Sequence, residues 1–162
     1  MKKFLTFLCA AVIALSLFGC MSPEEKQTQE GLLDYINEIN ALETDINLFY
    51  DQLQQLGNTS DTAAAIAMLD EDILPTLGTI NDSINAINIE DEKIAEVHQE
   101  MVDAWGQMQT ALDQMHQCLE TDDLNGADSA FSQIDEAETG FETFAEDLQA
   151  LCNDYNIDLK ME

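Results

Sequence analysis

The sequence predicts an all-α protein, an up-down-up-down antiparallel four-helix bundle preceded by a signal peptide and a short tether. Apolar residues recur at alternating steps of three and four through four long stretches, the mark of amphipathic helices packed on one another. Short polar breaks separate those stretches, and no segment alternates with period two as strands would, so no β structure is expected. A three-helix body with its second stretch broken into pieces is the alternative layout.

Met1-Lys2-Lys3 gives a positive start, and Phe4 to Phe18 is an apolar run without charge. At about 15 residues it is shorter than the roughly 20 a bilayer-spanning helix needs. A basic start, a short apolar middle and a small residue before the cut describe a removable secretory signal, residues 1–19. Leu17-Phe18-Gly19-Cys20 closes that run. It resembles the lipobox of bacterial lipoproteins, although Phe18 stands where a small or β-branched residue is more usual. The resemblance implies that Cys20 takes a thioether-linked diacylglycerol and becomes the first residue of the processed chain. Two or three acyl chains hold a protein stably where one does not, at about 0.8 kcal/mol per buried CH₂. The expected location is therefore the extracytoplasmic face of the cell membrane, with the lipid on Cys20 as the contact. Residues 20–29, polar and containing Pro23, form the expected tether, and residues 30–162 the expected bundle domain.

A cut before Cys20 leaves 143 residues, enough for one domain with a proper core. Lys26, Lys93 and Lys160 then face 33 acids with no arginine, a net charge of −30. That balance repels nucleic acid and anionic headgroups. It admits basic partners and weak association with divalent cations, though a well-solvated surface accounts for it without either.

The first helical stretch, from Glu30, carries Leu32, Tyr35, Ile39, Leu42, Ile46, Phe49, Leu53 and Leu56 along one face. Gly57 to Asp61 ends it, with Ser60 or Asp61 placed to cap the next helix. The second stretch, Thr62 to Asn88, should kink near residues 71–75 because Pro75 cannot donate its backbone hydrogen bond. Asn88 is a capping-type residue before the third, Glu90 to Leu119, whose stripe is Ile94, His98, Met101, Trp105, Met108, Leu112, Met115 and Leu119. Thr121 to Gly126 breaks the pattern. The fourth runs to Tyr155 with Ala127, Phe131, Ile134, Glu138, Phe141, Ala145, Leu148, Cys152 and Tyr155 inward. The tether end should also hold the helix 2–3 junction and the end of helix 4.

In this topology Cys118 and Cys152 lie at opposite ends of the helix 3–4 pair, roughly 36 Å apart at 1.5 Å per residue. A disulfide needs Cα atoms about 4.4–6.8 Å apart, so two buried thiols are expected. The same register brings Cys152 within a turn of His98 and Met101, a donor set that Cu(I) or another soft metal accepts. Met-rich stripes at this spacing are more often core packing. Thr121 to Gly126 falls short of a calcium loop, lacking the first Asp and the bidentate Glu at its last place. Glu138 on the fourth stripe has no partner carboxylate or histidine in the pattern, too little for acid–base catalysis. No haem-attachment motif, di-iron Glu-x-x-His pair, phosphate loop or nucleophile elbow is present, and no cofactor is expected.

The layout, a lipobox followed by acidic amphipathic helices, resembles the small lipid-anchored helical-bundle lipoproteins of low-GC Gram-positive bacteria. That resemblance implies an envelope location and no particular chemistry. The sequence thus reads as a non-enzymatic, lipid-anchored interaction or accessory module with a protein partner in the envelope. A metal-binding or small-ligand-binding bundle using the His98, Met101 and Cys152 end is the second reading.

Overall fold

Once α1 begins at Pro23, the described chain is helical almost throughout: α1 (Pro23–Asn40), α2 (Glu43–Asn58), α3 (Thr62–Met68), α4 (Leu74–Asn85), α5 (Glu92–Glu120) and α6 (Leu124–Asp154). The computed structural model describes residues 11–14 and 22–160. Cys20 and most of the expected signal segment lie outside the described residues. Against the expectation of no β structure, two short strands, β1 (Ala11–Ala14) and β2 (Ile157–Lys160), pair antiparallel, with Val12 opposite Leu159.

Four local differences from the sequence reading have simple causes. Most of the expected tether is helix. Ser22 caps α1 by accepting from Glu25 N at 3.2 Å, Glu25 returns a bond to Ser22 N at 2.6 Å, and Pro23 sits where its missing N–H costs nothing. The first stretch is broken at Ala41–Leu42, where the chain turns before α2 while the apolar face continues. The third helix is capped by Asp91 rather than Asn88, the Asp91 carboxylate accepting from Lys93 N and Ile94 N. The fourth begins at Leu124, three residues after Thr121, because Asp123 accepts from Gly126 N at 3.1 Å and closes a tighter turn. Asp122 in that turn has φ 56.

Elsewhere the expected elements form. Asp61, one of the two expected caps, accepts from Ala63 N and Ala64 N. Between α3 and α4 the helix widens into a π turn, Leu69–Ile73, just ahead of Pro75. The disturbance expected near residues 71–75 therefore takes the form of one extra residue in the turn. The buried positions Ala65, Leu69, Ile73 and Leu77 follow one another at steps of four across it.

α5 is the centre of the molecule. One side of it packs along α6 in the most extensive contact of the fold, and other sides meet α3, α4 and α1. Gln114–Gln133, Trp105–Phe141 and Lys93–Tyr155 pairs run antiparallel along α5 and α6. Thr28–Asp91 and Tyr35–His98 pairs run parallel along α1 and α5. Trp105, 2% exposed, meets Phe49 of α2 and Phe141 of α6 edge-on, with ring centroids 5.5 and 4.8 Å away. These three rings join three helices in the middle of the core.

The fourth stripe is buried as expected at Ala127, Ile134 and from Phe141 to Tyr155, but it departs at two places: Phe131 is 50% exposed and Glu138 sits at the flank, while the neighbouring Ala130 and Ala137 are buried. Small residues face α5 because the two helices approach closely. A Cβ on Gly140 would lie 3.0 Å from Ala104 Cβ.

This contact makes two glycines behave oppositely. Gly106→Ala, in open space inside α5, should stabilise by about 0.5–1 kcal/mol by removing unfolded-state freedom. Gly140→Leu should destabilise by about 1–3 kcal/mol through overpacking. Thermal unfolding of both variants checks the pair, and equal shifts would contradict the close approach.

Candidate functional site

Three chain ends meet where α1 begins. Thr28 of α1 donates its hydroxyl to the Asp91 carboxylate at the start of α5. Gln29 Nε2 donates to the Tyr155 carbonyl at the end of α6 at 2.7 Å, and Lys93 Nζ donates to Tyr155 Oη at 2.8 Å. Burial works to raise the Asp91 carboxyl, but the Thr28 hydroxyl, two backbone N–H groups and the Lys93 charge together hold it below its ordinary value. The bond to Tyr155 is the main cause of the raised Lys93 value. This is the gathering of the helix 2–3 junction and the end of helix 4 around the start of helix 1 that the sequence led us to expect.

An open cleft of about 670 Å³ lies at the same end, between α1 and the α4–α5 junction. Its walls carry carboxylates from both sides, Glu30, Asp34 and Glu38 on α1 and Glu90, Asp91 and Glu92 on the junction. Tyr35, Ile87 and Ile89 supply its apolar surface. Such a lining favours cations and disfavours anions.

His98, Met101 and Cys152 all take structural places. His98 is half-buried beside Tyr35, whose hydroxyl lies 3.2 Å from Nδ1, and the two rings pack edge-on. Burial lowers the His98 value, so the ring is neutral at neutral pH. Met101 is buried against the core at 1% exposure. Cys152 is fully buried, and burial pushes its thiol up to about 12. A soft metal takes the thiolate, and this environment favours the neutral thiol. Among the described residues no three His, Cys, Asp or Glu side chains are grouped to hold a metal ion.

Cys118 and Cys152 are both free and buried, as the topology required. The Cys118 sulfur packs at the helix 5–6 turn, where a Cβ on Gly126 would lie 2.5 Å from it. Asp123 in that turn is occupied as a helix cap, which uses a carboxylate that a calcium loop would need.

Glu138 is half-buried, and burial raises its carboxyl above the usual range, helped by Asp135 and Glu142. Its charge also helps raise the buried Tyr50 hydroxyl, after burial itself. No nucleophile–base pair accompanies it among the contacts described.

Two cross-helix pairs were missed by sequence reasoning. Glu100 of α5 meets Asp147 of α6, and burial followed by the Asp147 charge and a hydrogen bond to it raises the Glu100 carboxyl. The α5–α6 register that joins Lys93 to Tyr155 also sets 100 opposite 147, so a pairing taken from the turn would have found it. His116 Nε2 lies 3.0 Å from Asp70 Oδ1 in the π turn, and its Nδ1 lies 3.9 Å from Glu120 Oε2. No periodic signal in the sequence points to that contact.

Among the described residues no helix is long and apolar enough to cross a membrane. No protein-family model matches the chain, and no curated protein or solved structure is significantly similar to it.

Two measurements follow from these environments. A carboxyl raised in the folded state weakens the fold as pH climbs from its unfolded value through its folded one. Glu100→Gln should therefore raise Tm at pH 7 by a few degrees and lose that advantage as pH falls below the ordinary glutamate range, where the Glu100 carboxyl is protonated in the folded and the unfolded chain alike. A gain independent of pH would contradict the pairing. Cys118 and Cys152 should react with an aromatic disulfide reagent only after unfolding in guanidinium, and labelling of the native protein mapped to Cys152 would contradict its burial.

Proposed function

We propose that the chain is a lipid-anchored envelope lipoprotein, held at Cys20, whose helical body is an up-down-up-down four-helix bundle acting as a non-enzymatic interaction module. The Leu17-Phe18-Gly19-Cys20 sequence, at the end of a short apolar run with a basic start, carries this reading. The antiparallel α5–α6 pair and the parallel α1–α5 contacts support the bundle, with α3, the π turn and α4 as its second rod.

The position of the first helix gives the anchor a mechanical meaning. Only Met21 and Ser22 separate Cys20 from Pro23, a reach of about 7–11 Å for two or three extended residues. Such a leash holds the end bearing the acidic cleft close to the headgroups. The turns at residues 59–61 and 121–123 then face away from the bilayer, where a partner meets least obstruction. Carboxylates held near anionic lipid repel it, so the acyl chains alone supply the attachment. The neutral His98, the protonated Cys152 and the capping role of Asp123 favour binding through surfaces over metal chemistry at these residues.

Intact-mass measurement of the protein extracted from membranes tests the anchor. The expected chain begins at Cys20 and carries diacylglycerol, and Cys20→Ala should leave the signal attached and abolish lipid incorporation. A wild-type chain that retains Met1, or one that begins at an unmodified Cys20, would sink the reading.

A further inference from the structure

β2 holds a partner that the proposed processing takes away. Val12 lies opposite Leu159 and Ile13 opposite Asp158, so the strand set against β2 comes wholly from residues that precede Cys20. β2 is also held from the helix side, where it packs against α6. Asn156, at φ 58, reverses the chain after α6, and Asn156 N donates to the Asn153 carbonyl at 3.1 Å. Ile157 and Leu159 are buried in the core at 1% and 5% exposure, while Asp158 faces outward. The alternation seats one face of β2 and leaves its outer backbone edge as the part that β1 satisfies.

We propose that β2 is a strand acceptor. In the processed chain, Ile157–Lys160 pairs antiparallel with an extended, uncharged apolar segment of another polypeptide, in the place taken here by Ala11–Ala14. This rests on the lipoprotein reading, since cleavage is what opens the edge. The kind of occupant is given by what the edge accepts in this structure, an Ala-Val-Ile-Ala segment with β-branched residues at its centre and no charge. The net charge of −30 after processing acts against acidic segments and against a second copy of the same chain. Main-chain bonds to such an edge supply affinity, and the small number of residues keeps it modest. β2 is short and charged at Asp158 and Lys160, features by which open edges avoid indiscriminate pairing.

The test compares the processed lipoprotein with the Cys20→Ala precursor, both full chains in the same non-ionic detergent. The probe is a fluorescein-labelled Gly-Ser-Ala-Val-Ile-Ala-Ser-Gly peptide, with a control in which Val and Ile are replaced by Pro, which cannot complete a ladder. The processed chain should bind the probe at least about tenfold more tightly than the precursor, and neither should bind the proline control. Hydrogen exchange at residues 157–160 should be slow in the precursor, fast in the processed chain and slow again with the probe. Equal binding to both forms, or β2 amides that stay protected in the processed chain without probe, would overturn the acceptor. Protection accompanied by a doubled mass would assign the edge to self-pairing instead and overturn it equally. Intact mass separates the two failures. A wild-type chain that keeps its signal sinks the lipoprotein reading and the acceptor together, whereas a processed, lipidated chain with a closed edge sinks the acceptor alone.

Discussion

The close approach of α5 and α6 is the constraint on which the other packing depends. It requires a small residue at each crossing point, and Ala104, Ala111, Ala130, Ala137 and Gly140 are buried or half-buried along it. Between these small residues the bulky side chains of both helices find room to meet each other and the neighbouring helices. Trp105 thus reaches both Phe49 and Phe141, and α5 can serve several neighbours at once. A wider α5–α6 spacing would leave voids around Trp105, and cores of this kind tolerate voids poorly.

Electrostatics shapes the remainder. With 33 acids against five lysines, carboxylates must take structural work that other chains give to neutral groups. Asp61, Asp91 and Asp123 cap the N-termini of α3, α5 and α6, where negative charge meets the positive end of the helix dipole. No described helix has a basic residue in its last turn, so the opposite ends lack the matching support. The raised Glu100 carboxyl shows the cost of the same excess when two acids meet across a tight helix pair.

The helices were legible because burial on one side of a rod leaves a three–four rhythm, and Leu32 through Leu56 shows it without interruption even though the backbone breaks at Ala41. The exact face was less legible. On α6 the rhythm through Phe131 and Glu138 and the one through Ala130 and Ala137 differ by one residue, and the first looks more hydrophobic. Proximity to α5 decides for alanine, a choice that hydropathy alone inverts. Likewise Asn88 and Asp91 both have cap chemistry, and the Asp91 carboxylate, which accepts from two backbone N–H groups, is also bonded by Thr28 of another helix. The candidate site divides similarly. That the cysteines lie too far apart to bridge follows from the topology, but the Tyr35 contact that occupies His98 is a matter of side-chain placement between helices 63 residues apart in sequence.

The reversal at Asn156 has a practical side. The chain reverses at Asn156, just after Tyr155, whose carbonyl is bonded to Gln29, so the four-residue strand that follows stays within about 13 Å of the end of the body where α1 starts. Under the proposed attachment, a fluorophore or affinity tag joined after that strand would sit against the lipid surface, crowded and poorly reached by antibodies. The turn holding Asp122 is the place to display such a label in full view of the medium.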